Sequence, residues 1–409
     1  MAIRKEEAIR WLNFWALALA LFVVSLQIPK VSVVMLVLVF SARIIGMRQW
    51  RIGFLWRVGL LTAFSSTYYS LLYYGAPGDL AHKTVNCMMI PLAYGIGYSL
   101  RDCSFPYGRL SVVWIFLAII SGFIIFSTLS ISRHISQVGM LDTWMDRRAV
   151  GVWGGEETNA PVFGMFVSLG LCLIPTLFWG SEGIRGRHFL FITLAVFVLA
   201  ACAVYVQFYA RNRSPYVAFL ASILSSFYVY GHSGRKKIQQ KLWKFFVVSL
   251  ILLTIGVFLS RLNEDILYAA VGRFETEGLE TPRYQLWKQM VIHLFQYPFG
   301  GRQVYLLGQN YVHNLWLDVA YNAGIFPLTY LLLFHMSHIN SFRILLRSQQ
   351  PPLIVVLIFC VGVSFLCSFM VEPVLDASVS YFAMSCLFLG SVSRLSTDIG
   401  RPQWDMRTL

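Results

Sequence analysis

Arginine is the residue to start from in a chain otherwise poor in charge. Arg211 and Arg213 lie in YARNRSPYVAF, and Arg283 opens PRYQLWKQM. A guanidinium is planar, stays charged at any relevant pH and binds phosphate bidentately, so these side chains suit an anion. Arg283 stands at the start of a predicted helix, where the helix dipole adds to anion attraction. Histidine offers the complementary chemistry at Tyr311-Val312-His313-Asn314-Leu315-Trp316-Leu317-Asp318. An imidazole titrates near pH 6.5, and nearby arginines lower that value, leaving a neutral ring able to accept a proton at pH 7. Asp318 lies four residues from Asn314 on one helix face and is expected to orient it. Each position also has a plain reading: His313-Asn314 as a helix cap, Arg211 and Arg213 as interfacial charges, Arg283 as an exposed loop charge.

Other chemistry is weaker. No P-loop, HExxH or GxSxG occurs, and the seven cysteines show no CxxC or Cys/His ligand spacing. A zinc site and a disulfide framework are therefore not expected, and no metal or cofactor is assigned. Asp142, Asp146, Arg147, Arg148, Glu156 and Glu157 read as a solvated mixed-charge loop. Glu372 and Asp376 flank Pro373, with a structural ion pair to an arginine as the plain expectation. His335 and His338 read as interfacial.

The elements that position these residues follow from composition. Of 409 residues 57% are hydrophobic and 13% charged, against about 25% charged in soluble chains, and mean hydropathy is +0.64. An ordinary cytosolic enzyme, a disordered chain and a small secreted domain are excluded. The pattern predicts an all-α polytopic membrane protein with about 12 transmembrane helices, each roughly 17–22 residues long, near 11–27, 28–45, 53–73, 84–100, 111–130, 161–179, 189–210, 214–231, 245–260, 315–337, 353–371 and 374–393. The first span follows Arg4, Lys5 and Arg10 without a small-residue cleavage site and is read as a retained helix.

With both termini cytoplasmic, 21 of the 33 basic residues and 6 of the 19 acidic ones fall inside, as the positive-inside rule requires. The net charge of +14 is then topological, and a nucleic-acid partner is not expected. Arg235, Lys236 and Lys237 read as an anchor near anionic headgroups. The chain 1–409 forms a single integral-membrane domain with two long outer segments: a loop at 131–160, and a large loop at 261–314 between helices 9 and 10. Loops of that length are usually functional. The second carries a predicted amphipathic helix from Pro282 to Pro298, with Trp287, Val291 and Leu294 on its apolar face.

Four elements in order carry a resemblance: Asn212-Arg213-Ser214, Pro282-Arg283 through Trp287, Tyr297-Pro298-Phe299-Gly300-Gly301, and His313-Asn314 through Ala323-Gly324. Together with the twelve-span layout they resemble the bacterial O-antigen ligase and O-antigen polymerase (Wzy/WaaL-like) family. The resemblance implies a C-type glycosyltransferase-like membrane fold in the bacterial inner membrane, with its site on the periplasmic side. It implies transfer of a glycan from undecaprenyl diphosphate to a sugar acceptor, a lipid-linked glycan or lipid A–core, without metal or nucleotide sugar. It also implies that Arg213 and Arg283 hold the donor diphosphate and that His313 deprotonates or orients the acceptor hydroxyl. Arg211 enters only as a neighbour, and Asn314 and Asp318 as support. The chain departs from the family at Phe326-Pro327, where a glycine is usual and a proline is expected to bend the helix. Membrane lipids are further partners, and a chain-length co-polymerase is compatible with this role. The loop of about fifty residues is short for seating a large lipid A–core acceptor, which favours polymerase over ligase. The alternative from another class, a polysaccharide-lipid transporter or flippase, would show a twofold repeat and midplane charges; no repeat is seen here.

Overall fold

The computed structural model of the protein describes residues 2–29, 31–44, 51–72, 80–100, 110–140, 142–143, 148–154, 157–179, 186–232, 282–306, 309–348, 350 and 352–399. Sixteen helices occur among them: α1 (Ala2–Ser25), α2 (Val31–Ile44), α3 (Ile52–Leu72), α4 (Leu80–Ser99), α5 (Ser111–Val138), α6 (Ala160–Leu171), α7 (Ile174–Trp179), α8 (Gly186–Ala210), α9 (Ser214–His232), α10 (Pro282–His293), α11 (Leu315–Ala323), α12 (Ile325–Met336), α13 (Ile339–Leu346), α14 (Pro352–Val371), α15 (Val374–Ala377) and α16 (Val379–Ile399). Five stretches among the described residues are long and apolar enough to cross a membrane: Ala8–Ser25, Ser111–Val138, Ala160–Phe178, Arg187–Ala210 and Pro352–Val371. This is the architecture of an α-helical membrane protein. The expected span 245–260 and the loop portion 261–281 lie outside the described residues.

Three expected spans are interrupted. The one at 161–179 divides into α6 and α7, the one at 315–337 into α11 and α12, and the last is preceded by the single turn α15. The described part of α2 is 14 residues long, about 21 Å at 1.5 Å per residue. In the first long loop expected from the sequence, α5 continues to Val138, and an antiparallel hairpin follows, β1 (Arg148–Val150) on β2 (Glu157–Asn159), with Ala149 opposite Thr158. The described residues are therefore helical apart from one two-stranded sheet.

Small residues let the helices approach. α4 packs along α16, and a Cβ at Gly97 would run into the Leu387 carbonyl while one at Gly390 would run into the Tyr94 carbonyl. Such close backbone approach replaces the hydrophobic driving force that lipid removes. Several hydroxyls inside helices return to their own backbone: Ser127 Oγ donates to the Phe123 carbonyl (2.8 Å) and Ser168 Oγ to Gly164 (2.7 Å), which satisfies them within the helix. α9 and α14 form another seam, with Ser222 Oγ 3.4 Å from the Cys360 carbonyl and Cys360 Sγ 3.5 Å from that of Ser222. The six described cysteines are free.

The break between α11 and α12 comes from Gly324, not from the proline expected to bend the helix. Gly324 has φ +84°, a left-handed value that a side chain tolerates poorly, and Pro327 sits harmlessly in the first turn of α12. The Pro298-Phe299-Gly300-Gly301 turn docks on this break. The Ile325 amide donates to the Pro298 carbonyl (2.8 Å), that of Gly301 to Asn322 (3.0 Å) and that of Arg302 to Tyr321 (3.0 Å). A Cβ at Gly324 would meet Phe299 Cα at 2.6 Å. His338, expected at an interface, is instead buried, with its Nδ1 2.8 Å from the Phe334 carbonyl.

Candidate functional site

The first arginine pair lies in the link between α8 and α9. α8 closes with Arg211 in the left-handed region (φ 47°), a place where helices usually put glycine. Asn212 then organises the link. Its Oδ1 accepts from the Ser214 amide (3.1 Å), its Nδ2 donates to the Ala160 carbonyl (3.3 Å), and its own carbonyl accepts from Gln207. Gly164 makes room for it, since a Cβ there would overlap the Asn212 side chain. Arg211 and Arg213 flank this residue and are both half-buried.

The helix predicted at Pro282 starts there but ends at His293. Its buried face is also turned from the predicted one. Leu286 and Met290 are each 1% exposed whereas Val291 is 56% exposed. The reason is that Arg283, Leu286, Trp287 and Met290 share one side at helical spacing, and that side must bring Arg283 inward. Trp287 Nε1 donates to the Val312 carbonyl (3.0 Å), tying the helix to the segment before His313.

His313 has φ 58°. A non-glycine residue there costs about 1–2 kcal/mol and persists only where its surroundings dictate it. Asp318 supplies that constraint. Its carboxylate, 3% exposed, accepts from the Val312 amide (2.6 Å) and the Asn314 amide (3.1 Å), one on each side of His313. It thus holds the main chain and not, as expected, the Asn314 side chain. Asn314 caps α11, its Oδ1 accepting from the Leu317 amide (3.2 Å). Cap and histidine are therefore two features of one turn, not alternatives. The His313 ring lies edge-on to Tyr311 (6.4 Å between centroids), and Nδ1 is buried with no hydrogen-bond partner among the described residues. Burial, and then the Arg283 guanidinium, lower its pKa to about 4, so the ring is neutral at pH 7.

These blocks, distant in sequence, meet on three consecutive residues at the end of α14. The Met370 carbonyl accepts from Asn314 Nδ2 (3.2 Å), the Val371 carbonyl from Arg283 (2.8 Å), and Glu372 Oε1 from Asn212 Nδ2 (3.2 Å). A helix C-terminus has unsatisfied carbonyls and partial negative charge, which favour a cationic donor there. Glu372 is fully buried. Burial raises its pKa, opposed by Arg283 and by the Ser214 and Asn212 side chains. Sequence reasoning gave it only a plain ion-pair role, though a carboxylate in a link of a few residues between two apolar spans was the available signal.

A second polar group sits beside the first. Arg302 Nε donates to Asn322 Oδ1 (2.8 Å) and its terminal nitrogen lies 3.4 Å from Asp376, while Asn322 Nδ2 reaches both Asp376 (3.2 Å) and Tyr68 Oη (3.2 Å). Asp376 thus pairs with an arginine, and Arg302 fastens the 298–302 turn to α11 through Asn322 and to α15 through Asp376. Among the described residues no group of three His, Cys, Asp or Glu is placed to hold a metal. The arrangement puts the half-buried Arg283 close to a neutral imidazole, with the buried Glu372 bracing the Asn212 link that carries Arg211 and Arg213. No protein-family model matches the chain, and no curated protein shows significant similarity to it.

Proposed function

We propose that the protein is a membrane glycosyltransferase that moves a glycan from undecaprenyl diphosphate to a sugar acceptor at the periplasmic face of the bacterial inner membrane, acting as a polymerase of O-antigen or similar repeats. The reading includes a twelve-span C-type glycosyltransferase-like fold with both termini cytoplasmic. The observation that carries it is the convergence of Asn212, Arg283 and Asn314 on residues 370–372, which draws the three chemically distinctive blocks of the sequence to one place.

In this mechanism Arg213 and Arg283 hold the donor diphosphate. Positive charge fixed where the leaving group gains negative charge stabilises the transition state, and a guanidinium fork does so without needing a proton. A ring nitrogen of His313 accepts the proton of the acceptor hydroxyl. That oxygen bonds to the anomeric carbon of the donor sugar as the bond from this carbon to the phosphate oxygen breaks, and the diphosphate leaves with the electron pair. The diphosphate, once bound, also offsets the Arg283 charge that depresses His313, which makes the ring a better base when donor is present.

The test is chain lengthening by the purified protein in sealed proteoliposomes supplied with lipid-linked repeat. His313→Ala should abolish transfer, a loss of at least about a hundredfold for a general base, with expression intact; near-wild-type activity would remove His313 from the mechanism. Surface glycolipids of a host lacking the gene separate the versions. Lipid A–core carrying a single repeat supports the polymerase. Bare lipid A–core with long glycan on the lipid carrier makes the chain a ligase, and uptake or counterflow without lengthening makes it a transporter.

A further inference from the structure

At the end of the α9–α14 seam remote from residues 370–372, the chain leaves its apolar helices and encloses a cavity of about 530 Å³. Its apolar lining, here called the apolar wall, includes Val229 from the last turns of α9 and Pro352 and Val355 from the first turn of α14. Its polar lining includes His232, Arg347 and Gln350. Arg347 closes α13, a short helix lying just before α14, and its guanidinium makes no hydrogen bond or ion pair with any described residue. Among the described residues no acidic side chain lines the cavity.

Three properties narrow the ligand. An unpaired guanidinium at the mouth selects an anion, and its fork geometry suits a phosphate. The volume lies within the roughly 300–1,000 Å³ of small-molecule sites. A water's share of the liquid is about 30 Å³, so inorganic phosphate, a few times larger, would leave most of the space empty. The apolar wall then requires carbon, and it belongs to helices whose outer surfaces are themselves apolar: Leu220, Leu224 and Tyr228 of α9 are each more than half exposed. An amphiphile with a phosphate head and hydrocarbon continuing along those helices meets all three conditions. The surrounding sequence adds charge of the right sign. Arg235, Lys236 and Lys237 follow His232 by only a few residues in the sequence. Cationic clusters at the end of an apolar helix attract anionic lipid.

We propose that this cavity binds the phosphate headgroup of an anionic glycerophospholipid, with Arg347 as its principal phosphate ligand. It stands apart from the glycosyl-transfer site and does not depend on that reading.

The experiment titrates purified protein in neutral detergent with dioctanoyl phosphatidylglycerol and follows bound lipid by native mass spectrometry. One saturable lipid per chain is expected. Arg347→Ala should weaken it about fivefold, the usual effect of one cation near an anionic lipid, and His232→Gln should weaken it less. Arg343→Ala, outside the cavity on the same helix, should leave affinity unchanged. Gel filtration verifies that each variant is folded. The proposal is overturned if Arg343→Ala and Arg347→Ala weaken binding equally, which would mean diffuse surface charge. It is also overturned if dioctanoyl phosphatidylcholine binds as tightly, or if inorganic phosphate at the lipid's own concentration displaces it, which would make the site one for free anion.

Discussion

Replacing Asp318 by asparagine is the sharpest test of how the histidine is held. The carboxylate accepts two main-chain N–H groups that straddle His313, at 2.6 Å and 3.1 Å. Hydrogen bonds to a charged acceptor contribute about 1.5–3 kcal/mol each. An amide in the same space keeps one oxygen and turns an NH2 toward the other N–H, so one bond survives as a neutral pair and the other is lost. The net loss is about 2–3 kcal/mol, larger than the roughly 1–2 kcal/mol that the left-handed backbone of His313 costs. Asp318→Asn should therefore release the turn without unfolding the bundle. Amide exchange at Val312 and Asn314 should accelerate about 30- to 150-fold, because each 1.4 kcal/mol is tenfold. In the proteoliposome assay kcat should fall by at least tenfold with KM for the donor nearly unchanged, since the arginines are not touched. Wild-type exchange at both amides would mean that the two bonds contribute nothing to the turn. Wild-type kcat with fast exchange would mean that the His313 conformation is irrelevant to transfer.

Other substitutions probe separate parts. Arg213→Lys keeps the charge but removes the fork, and transfer should drop at least tenfold with a raised donor KM; an unchanged rate would rule out bidentate phosphate contact there. The pH dependence has a defined sign. His313, with its pKa lowered to about 4, is neutral over the ordinary range, so protonation of the ring itself should cut activity only as pH nears the folded value. Removing the Arg283 charge lets the ring protonate more easily, so the residual activity of Arg283→Ala should disappear at a higher pH than that of the wild type. An acid limb that shifts the opposite way would dissociate Arg283 from His313. Gly324→Ala puts a methyl group against the Pro298 carbonyl at φ +84°; it should lower the amount of folded protein, read as a melting temperature several degrees lower. A stable variant would show that the 298–301 turn is not clamped to the helix break.

Much of this was legible in the sequence because membrane solvent makes polar residues conspicuous. The apolar runs placed both ends of α8 and α14 within three residues, and the end of α1 and the start of α5 within two, since an unbroken 20-residue hydrophobic stretch has few alternatives; the polar start of α1 and the polar end of α5 lay beyond what hydropathy marks. The breaks were harder. Cys172–Leu173 and Gly324 lie inside runs that read as continuous spans, and hydropathy carries no record of φ. The rotated face of α10 was missed because Val291 and Leu294 are as apolar as Leu286 and Met290; which pair is buried depends on where Arg283 and Trp287 must point. At the site, Arg283, His313 and Asn314 stood out by type, but their meeting on the end of α14 could not be read, because main-chain carbonyls have no sequence signature. Glu372 was visible and undervalued. Its importance lies in what is packed around it.

The end of α14 has one more implication. Residues 370, 371 and 372 follow each other around a helical path at about 100° per residue and 1.5 Å of rise, so the partners they hold approach from three compass directions and at nearly one height. The relative bearing of Asn212, Arg283 and Asn314 is therefore indexed to the phase of a single helix. A residue inserted or deleted anywhere between Pro352 and Val371 would swing all three bearings together by about 100°, while the spacing among them stayed the same. Length changes in this one segment should thus be as damaging as loss of a site residue, even where the altered position touches none of them.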